Sequence, residues 1–152
     1  MKKILVALLI TLLSVSMCFA AGSACTSISE KKGNLTFIHW AWTSDDATGA
    51  VTCSGKGAPT NQSGMILGVK FTPAAAGTVP SDAYDVVINN AGGADVLMGV
   101  GANLTNDDSV TTQWKNPENT NGGPVILYNE TLAPVVTNAG NSKTGTITMA
   151  LY

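Results

Sequence analysis

The chain has 152 residues, a mass of 15.6 kDa and a formal net charge of −2, which is the size of one domain. Hydrophobic residues make up 45% of it and charged residues 12%, which excludes a charged disordered tail. All eight basic residues are lysine and the pI is about 5.1, which excludes the basic footprint of a nucleic-acid binder.

The first segment reads as an address. Lys2 and Lys3 precede an apolar run, Ile4 to Leu13, broken only by Thr11. Cys18-Phe19-Ala20 then sets small residues at −3 and −1 of a cleavage point before Ala21. That layout predicts a bacterial-type secretory signal over residues 1–20. The run is too short to cross a bilayer core of about 30 Å, so no membrane span is expected after cleavage. The chain is therefore expected to be exported, to the periplasm or the medium. Its mature part carries six lysines against ten acidic residues, a net charge of −4. Two cysteines remain, Cys25 and Cys53, and an even pair in an exported chain predicts one disulfide. It would close a loop of just under thirty residues, worth about 3 kcal/mol in the chain-entropy model. It would tie an N-terminal tail, residues 21–34, to the second strand.

From Leu35 onward the pattern alternates, which is the strand signature. In Leu35 to Thr43, residues Leu35, Phe37, His39 and Ala41 share one face, and Ile38, Trp40 and Trp42 the other. Ser44-Asp45-Asp46 is a turn, and Ala50 to Cys53 a short return strand. Met65 to Thr72 places Met65, Leu67, Val69 and Phe71 on one side. Tyr84, Val86 and Ile88 face one way in the next strand. Asn89 to Gly93 is a tight-turn cluster, with Asp95 to Gly99 as its partner strand. Val110 to Trp114 and Val125 to Tyr128 are shorter candidates. Leu132 to Thr137 contains Pro134, which assigns it to an edge. Thr144 to Leu151 places Gly145, Ile147, Met149 and Leu151 on one face. The prediction is one all-β domain over 35–152: an antiparallel β-sandwich, Ig-like or jelly-roll-like, of about eight or nine short strands, with a small barrel as the alternative.

The candidate chemistry is thin. His39 is the only histidine, and its mid-strand position reads as a hydrogen-bonded structural residue. No G-x-S-x-G elbow, CxxC or complete dinucleotide fingerprint occurs. The carboxylate pairs Asp45/Asp46, Asp82/Asp85 and Asp107/Asp108 read as turn formers rather than a calcium site. No catalytic residue, metal or cofactor is predicted. Trp40 and Trp42 lie side by side on one strand face, where they are either core or a flat platform for sugar rings. They are the candidate binding face. Asp107, Asp108 and Trp114, in the turn-rich stretch from Ala102 to Gly123, are the candidate binding loop. Both faces of Leu35 to Thr43 are apolar, which fits a strand covered on both sides, as by a neighbouring subunit.

Three stretches together carry a resemblance. They are Pro80-Ser81-Asp82-Ala83-Tyr84-Asp85-Val86-Val87-Ile88, then Asp95-Val96-Leu97-Met98-Gly99-Val100-Gly101-Ala102-Asn103, and Asn138-Ala139-Gly140-Asn141-Ser142-Lys143-Thr144-Gly145-Thr146. They read P-x-D-x-Y-D-[IV]-x-[LI], D-[VL]-L-x-G-x-G-A-N and N-A-G-x-x-K-x-G-T. This pattern resembles a group of small proteins encoded in tailed-phage and prophage structural regions, over about Leu35 to Tyr152. The resemblance implies a virion-associated β domain without enzymatic activity. Such relatives are generally leaderless, whereas this chain begins with a signal, so a phage-derived domain recruited to the envelope is an equally coherent expectation. Two functions follow. One is a structural domain that associates with itself or with larger particle or envelope proteins. The other is an exported adhesin-like or carbohydrate-binding module that takes a glycan.

Overall fold

The computed structural model describes residues 22–75, 77–107, 110–113 and 124–152. The expected signal, residues 1–20, and the loop residues Asp108 and Trp114 lie outside them. Among the described residues the chain forms nine strands and one 3-10 turn. In chain order these are β1 (Ala24–Lys32), β2 (Leu35–Thr43), β3 (Val51–Thr52), the turn Gly55–Gly57, β4 (Gln62–Pro73) and β5 (Asp85–Asn89). They continue as β6 (Val110–Gln113), β7 (Ile126–Glu130), β8 (Ala133–Thr137) and β9 (Thr144–Leu151). All pairings are antiparallel. One sheet has six strands in the order β1-β2-β9-β4-β6, with β7 also on β4, and the other has three in the order β3-β8-β5. The Met65 amide bonds Tyr152 O and the Ile66 amide bonds Val125 O, so β7 lies on the side of β4 away from β9. The all-β, two-sheet antiparallel fold is the one expected from the alternating pattern.

Alternation decides what is buried. Ile38, Trp40 and Trp42 from β2 and Ile147, Met149 and Leu151 from β9 point between the sheets, and all are buried. Val86, Ile88 and Val136 meet them from the smaller sheet, with Tyr84 just ahead of β5. Burial pushes the Tyr84 phenol up to about 12, because an anion there would lose its water. Gly145 lies opposite Trp42 in the β2–β9 register, and the indole rests over it. A Cβ added to Gly145 would stand 2.5 Å from Trp42 Cζ2.

Four local expectations are corrected. Residues 21–34 are not a tail, because 24–32 form β1 and pair with β2 residue for residue. The hairpin turns on Gly33-Asn34, with Gly33 at φ +62°, a conformation that suits glycine. On β4 the register shifts between Ile66 and Gly68. This bulge turns Leu67 outward and Ile66 into the core, so Leu67 does not share a face with Val69 and Phe71. Asp95 to Gly99 is a run of turns, not a strand. The Asp95 carboxylate accepts bonds from the amides of Ile88, Leu97 and Gly99, capturing donors that a strand ladder would need. Finally, β8 is the centre of its sheet although it contains Pro134. Pro134 gives its carbonyl to the Cys53 amide, and β3 ends at Thr52. The missing N–H therefore falls beside the end of a strand, where the ladder has no use for it.

The Cys25–Cys53 disulfide is present, with the Cα atoms 5.2 Å apart. It joins β1 to the chain just after β3 and so links the edges of the two sheets.

Candidate functional site

The outer face of the six-stranded sheet is turned away from the core. The register sets its side chains in rows across the strands. One row is Thr26, Ala41, Thr146 and Thr72, the next Ile28, His39, Thr148 and Lys70, and the third Glu30, Phe37, Ala150 and Gly68. Ile28 is 71% exposed, and Ala41 and Leu67 are exposed too. Three shallow depressions lie on this side. The largest, of about 540 Å³, is bordered by Thr26, Ala41, Thr72 and Thr146. One of about 180 Å³ lies by Ile28, His39 and Thr148, and one of about 240 Å³ by Phe37, Leu67 and Ala150.

A polar row crosses this face. His39 Nδ1 is 3.0 Å from Thr148 Oγ1 and His39 Nε2 is 3.3 Å from Glu30 Oε1. Lys32 Nζ is 2.9 Å from the same carboxylate oxygen and sits 5.7 Å from the Phe37 ring centre. The Phe37 and His39 rings stack at 6.4 Å. His39 is thus the hydrogen-bonded strand residue its position suggested. A hydroxyl, an imidazole and a carboxylate in line have the order of a nucleophile relay. However, Thr148 sits in mid-sheet, with β2 on one side and β4 on the other. Backbone amides there are committed to ladders and none converge on a developing oxyanion. The row instead ties β1, β2 and β9 together. Among the described residues, no group of three or more His, Cys, Asp or Glu is placed to hold a metal.

The Lys32 ammonium, and after it His39, holds the Glu30 carboxyl below its ordinary value of 4.5. A depressed carboxylate stabilises the fold above its unfolded value, and this contribution is lost as pH falls through the folded one. Melting curves of the wild type and Glu30→Ala are therefore expected to differ near neutral pH and to converge in acid, the gap shrinking with added salt. A gap that persists in strong acid would show that Glu30 acts otherwise.

The structure places the sequence-predicted site residues unevenly. Trp40 is fully buried and its indole N–H donates to Gly57 O at 3.0 Å. Trp42 adjoins the largest depression but is 3% exposed, too little for sugar stacking. The tryptophan face is therefore core, and its candidacy as a binding platform is withdrawn. Inward alternation on β2 is the physical reason. Asp107 is exposed, while Asp108 and Trp114 lie outside the described residues. Sequence reasoning missed the row Thr148–His39–Glu30, since Glu30 belonged to the supposed tail. The signal for it was the Gly33-Asn34 turn, which folds Glu30 back toward His39.

The motif residues behind the resemblance meet one another. Asp85 accepts from the Asn103 amide and from Asn138 Nδ2. The Val86 amide donates to Gly101 O, and the Ser81 amide to Ala139 O. Ser44, buried, donates to Gly140 O and accepts from the Lys143 amide. Asp45 is likewise spent locally, since its carboxylate takes the amides of Ala47 and Thr48 and is held below its usual range by them. These polar residues organise loops around β5. Among the described residues, no helix is long and apolar enough to cross a membrane. No protein-family model, curated protein or solved structure matches the chain.

Proposed function

We propose that this chain is an exported, non-enzymatic structural domain that assembles with further copies of itself through the outer face of its six-stranded sheet. The observation that carries this reading is the apolar content of that face, exposed at Ile28, Ala41 and Leu67 and half-buried at Phe37, opposite the buried core. The disulfide supports folding in an oxidising compartment. The resemblance to phage and prophage structural-region proteins makes a virion or an envelope particle the setting. On this reading the motif residues serve the scaffold, and the sheet face serves assembly.

Ala41 is exposed on the face between Thr26 and Thr146, so Ala41→Arg inserts a long charged side chain into a packed contact there. Sedimentation velocity of the mature wild-type chain is expected to show concentration-dependent oligomers. Ala41→Arg is expected to sediment as a monomer with an unchanged melting temperature. A wild type that stays monomeric at high concentration and is absent from particles would refute the proposal. A glycan that bound the monomer and was lost in Ala41→Arg would replace assembly with a binding function.

A further inference from the structure

The first strand stands apart from the others. It is an edge strand that pairs with β2 over nine residues and with no other strand. It adds almost nothing to the core: Cys25 is only partly buried, and its one large apolar side chain, Ile28, is 71% exposed. Beyond the ladder, side-chain ties hold it, Lys32 over the Phe37 ring among them. They include the disulfide to Cys53, a bond from Ser27 Oγ to Lys56 O at 2.8 Å, and the exposed Glu30–His39 contact. Beneath it, β2 has the opposite character. Leu35-Thr36-Phe37-Ile38-His39-Trp40-Ala41-Trp42-Thr43 has no proline, no glycine and no carboxylate or lysine. Were β1 to leave, β2 would become a nine-residue edge rich in aromatic and β-branched residues. Such an edge recruits another strand.

We propose that β1 is a disulfide-latched cover on an acceptor edge, and that reduction of Cys25–Cys53 lets β2 accept the β1 strand of a second copy. The strand now seated on β2 identifies the occupant, because a second copy offers the same nine residues in the same register. The Gly33-Asn34 turn would open, and two copies exchanging β1 would close as a symmetric dimer. The reductant is a dithiol. One of its thiolates attacks a cysteine sulfur and breaks the protein S–S bond. The departing cysteine thiolate takes a proton. The second reductant thiolate then attacks the mixed disulfide and releases the other cysteine, so two electrons pass to the protein and the dithiol becomes a cyclic disulfide. This inference stands independently of assembly through the outer face.

The test uses the mature Leu67→Arg chain, which disrupts outer-face association from β4, away from the β1–β2 pair. Hydrogen exchange and gel filtration are compared before and after dithiothreitol. On reduction, amides of 24–32 are expected to exchange about a hundredfold faster at low concentration, while β4 and β9 keep their protection. At high concentration a dimer is expected, and excess peptide spanning 24–32 with Cys25→Ser is expected to suppress it. Unchanged protection in β1 after reduction would overturn the proposal. So would a dimer that the peptide does not affect, or an equal loss of protection across β4 and β9, which would make the disulfide a global staple. The Cys25→Ser/Cys53→Ser variant should reproduce the reduced state without dithiothreitol, and its failure to do so would also count against the latch.

Discussion

Alanine at position 145 is expected to lower the unfolding free energy by about 3 kcal/mol, the upper end for overpacking a well-filled site. The sign runs against intrinsic preference, since alanine normally improves on glycine within a strand. The cause is the Trp42 indole over the neighbouring strand, where a Cβ would lie 2.5 Å from Cζ2 and 2.8 Å from Cε2. Neither ring nor backbone can yield cheaply, because Trp42 is also in contact with Tyr84, at a ring separation of 6.0 Å. Urea unfolding of Gly145→Ala checks the size. Adding Trp42→Leu should recover part of the loss, as the smaller side chain vacates the space. Purely additive losses in the double variant would show that the two residues do not share this contact.

Truncation of Trp40 is the second large effect. Trp40→Ala is expected to cost about 3–5 kcal/mol, the range for emptying a buried aromatic site. The change removes a fully buried indole and also strips Gly57 O of its 3.0 Å donor. Gly57 packs against Cys25, where an added Cβ would stand 2.9 Å from the Cys25 carbonyl oxygen. The damage therefore spreads to the segment that anchors β1. Trp40→Phe separates the contributions: it keeps most of the ring and loses the N–H, with an expected cost of about 1–3 kcal/mol. Equal costs for the two variants would place the whole effect in the hydrogen bond rather than the packing.

How far the sequence foretold this structure depends on which force dominated each segment. Where one face is buried, period-two alternation was enough. Ile38 to Trp42 on β2, Tyr84 to Ile88 at β5 and Gly145 to Leu151 on β9 each share a face as the pattern grouped them, and those faces are buried. Alternation says which residues share a face but not which face turns inward when both are apolar. The packing of the two sheets, not the alternation, decides between the two readings of Trp40 and Trp42. β1 was illegible because it carries one large apolar residue, and its order comes from a ladder, a turn and a disulfide. The β4 bulge escaped notice because a single extra residue reverses the parity without changing composition. Asp95 defeated a strand prediction by capturing amides, a choice between side-chain and backbone acceptors that alternation does not register. The row Thr148–His39–Glu30 was out of reach for a different reason. It unites residues separated by 109 and by nine positions; the Gly33-Asn34 turn sets the near pair, and only the sheet order brings Thr148 to His39.

The loop polar residues show how a motif can be specific without being chemical. Asp85, Asn103 and Asn138 are joined by hydrogen bonds across three separate stretches of chain. A sequence pattern that retains them retains the junction of β5 with its flanking loops. The outer face of the six-stranded sheet is instead built of threonine, alanine and larger apolar residues crossed by the Glu30–His39–Thr148 row, and no short motif marks it.

On the proposed function, an exported, disulfide-closed domain assembles into a larger body. Intact-mass detection of the protein across cytoplasm, periplasm, medium and density-purified particles tests it most directly. The expected species begins near Ala21, is two hydrogens lighter than the fully reduced chain and is found in oligomers or particles outside the cytoplasm. A cytoplasmic monomer that retains residues 1–20 and two free thiols would contradict it.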